Sequence, residues 1–570
     1  MNCMYWLSQI KLNIGSSVDD LKKKLVATLK INAQDIDWTT FKILKKSIDA
    51  RDKNNIFFVY NVAFDFVKSD NFAKGIVAAK KKLEKYEPMT FDPEVLGLKD
   101  EIAREGTERL LRPIVVGFGP AGIFASYIFA LNGIKPIIYE RGKALDERVI
   151  DTKKFFDTME LDEESNVCFG EGGAGAFSDG KLNTNNKDRD GIYKFILETF
   201  VRFGADEKIL YESMPHIGTD KLIDVIKNMR DEIVRLGGEI HYNSKWSYEE
   251  MCSQRLSTQG TPIILAIGNS ARDTFRDLLK NGFNLKAKTI AVGYRIAHKQ
   301  TFIDNVQYGI SSHSSPLREG SQSSSIQKNV QLPPAIYKLT CDVGGGRSVY
   351  SFCMCPGGYI INSSNKKGML SINGMSYNDR SGKYANSAIV VTVKPEDIEG
   401  SHSSPLRESQ HSTSLKEVPQ CSPLQMIEFQ EKIEEKAYEL EKGYIPFVTN
   451  DENINMDEIF KGQAKESGLL FSVYENVGVK FDINECIKKA LAYFNKIMCG
   501  FYSDAPTAVL AGVETRTSSP VLLERDENYM CNVENFYPCG EGLGHGGGIM
   551  SSAADGVRVA MKILQNIMKK

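Results

Sequence analysis

Periodic apolar positions in residues 1–95 predict a small α/β domain at the start of the chain. Apolar residues recur at helical spacing over Val18–Leu29, and a second helix is predicted over Phe72–Tyr86. Apolar runs at Ile10–Leu12, Phe41–Leu44 and Ile56–Phe66 predict strands. The order strand, helix, strand, strand, helix is typical of a ferredoxin-like module.

From residue 112 to about 285, short apolar strands alternate with helices, which is typical of a parallel sheet in an α/β domain. The predicted elements are, in chain order, a strand at 112–116, a helix at 123–131, a strand at 136–139, a helix at 222–236, and strands at 239–242 and 262–268. This alternation predicts the first part of a nucleotide-binding domain.

Residues 286–504 are richer in strands and predict an inserted substrate or cap domain of mixed α+β structure. The predicted elements are strands at 289–297, 335–340, 348–353, 369–373 and 388–393, and a helix at 428–440. Residues 505–570 then return to the nucleotide-binding pattern and complete that domain.

Two Ser-rich segments interrupt the cap pattern. The eight residues Ser312–Glu319 recur unchanged as Ser401–Glu408, and a degenerate third copy follows at residues 411–417. Few apolar residues and many serines predict mobile inserted loops at about 311–333 and 400–422. Three of the seven histidines lie in these copies, so their histidine content is poor evidence for a metal site. A metal or phosphorylation role is the alternative interpretation.

Composition and charge are those of an ordinary globular protein. The 570 residues have a net charge of -2, so no bulk field attracts nucleic acid or an anionic membrane. No run reaches the roughly 18 apolar residues that a membrane helix needs. Eleven scattered cysteines predict reduced thiols in a cytoplasmic protein, and residues 1–10 lack the features of a signal peptide. The lysine triplets Lys22–Lys24 and Lys80–Lys82 predict a solvated helix face, with RNA binding as the alternative.

The predicted strand at 112–116 leads into a glycine-rich turn that suits a dinucleotide. Gly117 allows the tight turn, Gly119 lets a pyrophosphate approach the backbone, and Gly122 lets helix and strand pack closely. The N–H groups at the start of the helix at 123–131, together with Pro120 and Ala121 of the preceding turn, would hold the phosphates. Glu140, followed by Arg141, ends the next strand 18 residues after Gly122, close to where a ribose-binding carboxylate is expected.

Two further segments are predicted to contact the same ligand. Residues 170–182 contain five glycines, and such density lets backbone N–H groups converge on a flat or anionic ligand. The strand at 262–268 ends in small residues, so the chain can cross beneath a dinucleotide. The predicted cofactor-binding residues of these segments are Gly172, Gly173, Gly175, Lys181, Ala266 and Gly268.

The C-terminal segment favours FAD over NAD as the cofactor. A strand, an acidic residue and a run of glycines precede a second helix N-terminus, which supplies another set of N–H donors. Those donors suit the ribityl-pyrophosphate and the pyrimidine edge of a flavin. The predicted cofactor-binding residues are Gly540, Glu541, Gly547, Gly548 and Ile549.

Several of these motifs together resemble a known family, the largely uncharacterised bacterial FAD-dependent dehydrogenases, or NAD(P)/FAD-dependent oxidoreductases. The motifs are residues 116–122, 170–175, 178–182, 349–358, 512–520 and 539–542. The resemblance implies an α/β protein with a Rossmann-like FAD-binding domain, an inserted mixed α+β cap domain and a small N-terminal ferredoxin-like α/β domain. It implies no particular substrate.

Three polar residues are candidates for catalysis. Arg516 could bind a substrate carboxylate or stabilise negative charge on reduced flavin, and a structural ion pair with Glu514 is the alternative. A strand here would place Glu514 and Arg516 on one face. Arg295 and His298 are candidate polar groups of the cap, with a structural His as the alternative. Cys353 and Cys355 lack the C-x-x-C spacing of dithiol oxidoreductases, so a buried apolar role is favoured.

Taken together, the sequence predicts an FAD-dependent oxidoreductase that transfers hydride between the flavin and a small-molecule substrate. No second strand–glycine–helix unit is present for a separate nicotinamide domain, so NAD(P)H is expected only as a diffusible reductant. No metal site and no membrane or nucleic-acid partner is predicted. The alternative function is a flavin-bearing RNA-binding or RNA-modifying protein that docks through residues 1–95.

Overall fold

A computed structural model describes most of the chain in two compact units. The described residues are 4–68, 72, 75–77, 83–95, 98, 112–184, 186–249, 260–309, 332–399, 422–441, 471–502 and 508–568. Of the mobile loops predicted at about 311–333 and 400–422, residues 311–331 and 400–421 lie outside the described residues. The first unit comprises residues 1–91, 181–217 and 300–336, and the second comprises residues 92–180, 218–299 and 337–570.

The N-terminal segment forms an antiparallel sheet with strand order β2-β3-β1-β4. Its elements are β1 (Tyr5–Asn13), α1 (Val18–Leu29), β2 (Ile36–Asp49), β3 (Phe57–Phe66) and β4 (Leu83–Lys85). Helix α1 has the predicted bounds because Ser17 and Asp20 form a capping box and Leu21, Leu25 and Leu29 face the core. The helix predicted over Phe72–Tyr86 is wrong at its end, since Leu83–Lys85 pairs with β1.

Residues 112–299 contain both strands and helices, and the predicted order strand, helix, strand over residues 112–139 is confirmed. The elements are β5 (Ile114–Val116), α2 (Pro120–Leu131), β6 (Ile137–Tyr139), α3 (Leu145–Thr158), α4 (Ile192–Arg202), α5 (Thr219–Arg235), β7 (Glu239–His241), β8 (Ile263–Leu265), α6 (Arg272–Lys280), β9 (Leu285–Ala287) and β10 (Ile290–Lys299). Helix α4 lies in the first unit and the other elements lie in the second.

The remaining segment begins with a helix of the first unit and continues through the second unit. The elements are α7 (Gln300–Tyr308), β11 (Thr340–Gly344), β12 (Arg347–Cys355), β13 (Tyr359–Asn362), β14 (Ile372–Met375), β15 (Tyr384–Val393), α8 (Pro423–Glu441), α9 (Ile483–Ile497), β16 (Ala508–Glu514), β17 (Val521–Leu523), β18 (Phe536–Pro538) and α10 (Ile549–Ile567). Among the described residues, no helix is both long and apolar enough to cross a membrane.

A five-stranded parallel sheet in the second unit positions the glycine-rich segments. Its strand order is β18-β8-β5-β6-β7, so β18 from the C-terminal segment pairs with β8. The β5 and β8 strands are buried throughout, which explains their continuous apolar runs. The carboxyl ends of β5, β8 and β18 lie at the same edge of the sheet, which is the edge where ligands bind in open α/β folds.

A second five-stranded sheet, with order β11-β12-β15-β10-β16, is antiparallel. Strands β10 and β15 lie inside it and are buried along nearly their whole length. The pairing of β12 with β15 shifts register between Phe352 and Cys355. Cys353 adopts a left-handed backbone there, with φ 47°, so this β-bulge interrupts the simple alternation of side chains along the strand.

Candidate dinucleotide-binding site

The three glycines of the turn between β5 and α2 have different structural roles. Gly117 has φ 96°, and a Cβ atom on it would lie 2.4 Å from the Ala266 carbonyl oxygen. A Cβ atom on Gly122 would lie 2.0 Å from the Gly117 carbonyl oxygen, so the close packing of helix and strand requires glycine. Gly119 is the N-cap of α2, and no side chain caps the helix there. A Cβ atom on Gly119 would lie 3.6 Å from its nearest neighbour, Gly173 Cα, so packing alone does not require this glycine.

Glu140 lies at the end of β6 and is 5% exposed. Its Oε2 atom accepts a hydrogen bond from the Phe118 N–H at 2.8 Å, and its Oε1 atom accepts from Gly142 at 2.9 Å and Gly170 at 3.0 Å. A carboxylate offers about four lone-pair sites, so three are used by the backbone. Glu140 therefore joins the glycine turn to the segment around Gly170, and the remaining site suits one ribose hydroxyl.

Arg141, the neighbour of Glu140, lies in an ion-pair network. Its guanidinium donates to Glu164 at 2.7 Å and to Asp273 at 3.0 and 3.1 Å. It also stacks over the Phe169 ring, with 3.9 Å between the guanidinium carbon and the ring centroid. The contact with Phe169 positions the start of the segment 169–173. The cofactor contact of Arg141 stays a prediction.

The glycine-rich segment that follows contacts the N-terminal ends of two helices. The Gly172 N–H donates to the Phe118 carbonyl at 2.8 Å. A Cβ atom on Gly173 would lie 3.0 Å from Gly119 Cα, and one on Gly175 would lie 3.2 Å from Ile549 Cγ1. Gly172, Gly173 and Gly175 are thus brought to the starts of α2 and α10.

Lys181, which was predicted to contact the same ligand, belongs to the first unit. It forms an isolated antiparallel bridge with His216. The buried residue Arg148, on α3, was not predicted, although its guanidinium contacts the carbonyl groups of the segment 166–173. A single arginine in a polar helix gives no sequence signal of such a role.

The C-terminal glycine run supplies the second helix start. Helix α10 begins at Ile549 with Gly548 as its N-cap, and no side chain caps it. A Cβ atom on Gly540 would lie 2.8 Å from the Ala121 Cβ, and one on Gly175 would lie 3.2 Å from Ile549 Cγ1 and 3.5 Å from Pro120 Cγ, so the starts of α2 and α10 are neighbours. Cβ atoms on Gly547, Gly548 and Gly268 would meet nothing within 4 Å. Two helix N-termini capped only by glycine, with open space at the start of α10 and at Gly268, fit a dinucleotide with a pyrophosphate.

Glu541 lies between these glycines. Its Oε1 atom accepts a hydrogen bond from Asn269 Nδ2 at 2.9 Å, and its Oε2 atom accepts from the Gly548 N–H at 3.1 Å. Burial raises the pKa of Glu541 above its usual range, although both hydrogen bonds favour the charged form. Ala266, at the end of β8, contacts Gly117 through its carbonyl group. The predicted residues of β8 and the C-terminal segment therefore meet at one sheet edge.

Arg516 lies in a buried ion-pair network beyond the end of β16. Its Nε and Nη2 atoms donate to Glu434 of α8 at 3.0 and 2.7 Å, and its Nη1 atom donates to Asn365 Oδ1 at 2.6 Å. Arg272 donates two hydrogen bonds of 2.8 Å to the same carboxylate. The alternative interpretation, an ion pair of Arg516 with Glu514, is not supported, because Arg516 pairs with Glu434 and Glu514 pairs with Arg295. The predicted shared strand face is wrong, because β16 ends at Glu514.

Two arginines against one carboxylate leave an excess of positive charge in this network. Burial alone would raise the pKa of Glu434, but the charges of Arg272 and Arg516 outweigh it and hold that pKa well below its usual range. Because its pKa is held low, Glu434 is ionised at neutral pH although it is fully buried. Sequence periodicity could not identify it, since it is 82 residues from Arg516.

Arg295 and His298 lie three positions apart on β10 and are both fully buried. Arg295 donates to Asn386 Oδ1 at 2.6 Å and to the Cys353 carbonyl at 2.8 Å, and it pairs with Glu514. His298 Nε2 hydrogen-bonds the Phe501 carbonyl at 2.7 Å.

The surroundings of His298 decide its protonation state. Burial lowers the pKa of His298 to about 4, against the smaller opposing effect of the bond to Phe501. An imidazole with that pKa is neutral at neutral pH and does not suit proton exchange near pH 7. Within the described ranges, no group of three or more His, Cys, Asp or Glu side chains could hold a metal ion.

Comparisons with known proteins bear on this site. Residues 289–517 match the family described as FAD-dependent protein, C-terminal domain-like, and residues 4–65 match a Domain of unknown function (DUF8436). An uncharacterized protein of Clostridium beijerinckii is 38% identical over 580 residues, which cover 98% of each chain.

Two solved structures are more distant. CtdE in complex with FAD and substrate 4 is 11% identical, with a TM-score of 0.27 over 81% of this chain and 87% of that one. The flavin-dependent monooxygenase PieE in complex with FAD and substrate is 10% identical, with a TM-score of 0.28 over 80% of this chain and 58% of that one. Such low TM-scores support no conclusion about this chain.

Proposed function

The chain belongs to the same family as the Clostridium beijerinckii protein, a family of bacterial FAD-dependent proteins, and from this premise we propose that it is an oxidoreductase that transfers hydride between FAD and a small-molecule substrate. The observation that supports this most is the pair of helix starts at Gly119 and Gly548, which are capped only by glycine, with open space beside Gly548. Bound FAD would supply two-electron hydride chemistry, and the protein would supply binding, orientation and charge.

The residues proposed to bind the cofactor lie around the two helix starts. The turn Gly117–Gly122, with Pro120 and Ala121, is proposed to hold the pyrophosphate, and Glu140 to accept a hydrogen bond from the adenosine ribose. The remaining proposed contacts come from Gly172, Gly173, Gly175, Ala266, Gly268, Gly540, Glu541, Gly547, Gly548 and Ile549.

The proposed architecture has three domains. Residues 112–285 and 505–570 would form a Rossmann-like FAD-binding domain, which the parallel sheet order supports, because β18 joins β8. The antiparallel sheet containing β10 and β15 would form the core of an inserted cap domain at 286–504. The order β2-β3-β1-β4 supports a ferredoxin-like module in residues 1–95.

Arg516 is proposed to act on negative charge, although it need not touch the ligand. The Arg272–Glu434–Arg516 network holds its guanidinium rigidly and leaves an excess of one positive charge. That charge favours an anionic substrate group or a reduced, negatively charged flavin. Arg295 and His298 are proposed to support the sheet beneath the site, since both are fully buried.

Rapid reduction kinetics test this proposal directly. The purified protein, reconstituted with FAD, would be mixed with NADH or NADPH under anaerobic conditions while flavin absorbance is recorded. We expect bleaching that saturates with the concentration of one nicotinamide nucleotide, which would act as a diffusible reductant. A protein that binds FAD but is reduced by neither nucleotide would contradict the NAD(P)H part of the proposal. A protein that binds no flavin would contradict the whole.

A further inference from the structure

Arg148 is an arginine whose hydrogen-bond partners are backbone carbonyl groups. It projects from α3 and is fully buried. Its Nε atom donates to the Asn166 carbonyl at 2.8 Å and its Nη2 atom to the Val167 carbonyl at 2.9 Å. Its Nη1 atom lies 2.6 Å from the Glu171 carbonyl oxygen, 3.0 Å from that of Gly173 and 3.3 Å from that of Gly170. One side chain thus fixes five peptide groups of the segment 166–173.

This arrangement requires the planar fork of a guanidinium. Five acceptors spread around one plane can be reached by the diverging N–H groups of arginine, whereas a lysine ammonium offers three donors at a single point. The segment is shaped to admit the side chain, because a Cβ atom on Gly170 would lie 2.4 Å from Arg148 Cδ. Gly170 also has φ 116°, a left-handed conformation that glycine adopts readily.

The charge of Arg148 has no ion-pair partner among its hydrogen bonds. The carboxylates of Glu140 and Glu171 lie near enough to act on it electrostatically, but Glu140 accepts from backbone N–H groups and Glu171 accepts from Leu145 and Arg230. Burial lowers the pKa of Arg148 to about 10, so the guanidinium stays protonated at neutral pH. The positive charge is therefore balanced by oriented peptide dipoles together with the carboxylates of Glu140 and Glu171.

Those dipoles present their positive ends on the other side of the segment. A trans peptide directs its carbonyl and the following N–H in opposite directions, so the carbonyls that face Arg148 turn the N–H groups of Gly172 and Ala174 away from it. The Gly172 N–H donates to the Phe118 carbonyl, and Gly173 lies against Gly119, the N-cap of α2. The outer surface of the segment thus joins the helix start that suits a pyrophosphate.

We propose that Arg148 is a positioning residue that preforms the segment 166–173 for the flavin dinucleotide, and that its buried charge, acting through the peptide groups it fixes, raises the affinity for that anionic ligand. This inference rests on the proposed function, since it concerns the same site. It assigns a role to a residue that does not itself contact the cofactor.

The test compares Arg148→Lys and Arg148→Met with Arg347→Met. Arg347 is a matched control, because it is also a mostly buried arginine of the second unit, paired with Asp397 and stacked on Phe481. For each protein the apoprotein would be titrated with FAD by fluorescence quenching. Hydrogen exchange of the amides 166–174 would be measured without flavin, alongside a thermal melt.

We expect the dissociation constant for FAD to rise about 10-fold in Arg148→Lys and about 100-fold in Arg148→Met, since fixed charge-assisted bonds are lost. Exchange should accelerate in residues 166–174 and stay unchanged in β5 and β8. The Arg347→Met protein should melt at a lower temperature and bind FAD within about threefold of wild type.

Three outcomes would overturn the proposal. One is wild-type FAD affinity in a folded Arg148→Met protein. Another is faster exchange throughout the parallel sheet, which would make Arg148 a general stabiliser. The third is failure of both Arg148 variants to fold while Arg347→Met folds. If wild-type protein binds no FAD, the proposed function fails instead, and the exchange of residues 166–174 still decides whether Arg148 holds the segment.

Discussion

The ion-pair network of Glu434 allows a stability prediction to be worked from the structure. Arg272 and Arg516 each make two bonds of 2.7 to 3.0 Å to this carboxylate, which is fully buried. The substitution Glu434→Gln keeps the shape of the side chain and removes its charge, so two buried guanidinium groups would face each other without a counter-charge. Removing one partner of a single buried pair costs about 3–5 kcal/mol, and we expect about 5 kcal/mol here because two pairs share Glu434.

The same carboxylate predicts a dependence of stability on pH. The pKa of Glu434 is lower in the folded protein than in the unfolded chain, where it is about 4.3. Its contribution to the free energy of unfolding is therefore fully present above about pH 4.3 and is lost as pH falls toward the folded pKa. The Glu434→Gln protein should lack this part of the acid sensitivity.

Urea unfolding of the apoprotein at pH 7, followed by circular dichroism, measures the effect. Glu431→Gln is the matched control, since Glu431 lies on the same helix and pairs with Arg276, which is 39% exposed. A partly exposed pair of this kind contributes about 1 kcal/mol or less. Equal destabilisation in the two variants, or a loss below about 1 kcal/mol for Glu434→Gln, would refute the reasoning.

Three further predictions follow from single features. Gly119→Ala should keep wild-type stability and weaken FAD binding at least about 10-fold. Gly122→Ala should destabilise the fold by about 1–3 kcal/mol or more, because of the two added Cβ atoms only that of residue 122 would collide with backbone. Titration with FAD measures the first effect and urea unfolding measures the second. In the folded protein His298 should become protonated only below about pH 4, whereas in the unfolded chain it is protonated below about pH 6.5. The free energy of unfolding of wild type should therefore fall by up to about 3 kcal/mol between pH 6.5 and 4, and that of His298→Gln should fall less. A similar dependence of this free energy on pH in both proteins would contradict the prediction. Deleting residues 312–330 and 401–420 should leave flavin content and melting temperature nearly unchanged, and a clear fall in either would show that these segments pack on the core.

Local features of the fold could be predicted from the sequence because neighbouring residues determine them. Helix α1 has its predicted bounds, since its cap and its apolar spacing lie within one segment. The glycine turn after β5 could be predicted for the same reason. The strand at Leu83–Lys85 was missed, because its three residues are fixed by pairing with β1 and not by periodicity.

The charged groups show where sequence reasoning ends. Glu514, two residues away, was the alternative partner predicted for Arg516, but Glu514 pairs with Arg295, 219 residues distant. Arg516 instead pairs with Glu434 on α8. Arg148 was missed altogether, since its partners are carbonyl groups, which every residue has. Such contacts depend on which segments the folded chain brings together, and no spacing rule encodes them.

The central claim is that the starts of α2 and α10 together bind a flavin dinucleotide. The most direct measurement is to reconstitute the purified protein with an equal mixture of FAD and FMN, remove free flavin, denature the protein and identify the released cofactor by mass spectrometry. The Gly119→Val protein, which places a bulky side chain where the pyrophosphate would approach Gly119, is the control. We expect FAD from wild type in about equimolar amount and almost none from the variant. Release of FMN, or no flavin from a folded wild-type protein, would contradict the claim.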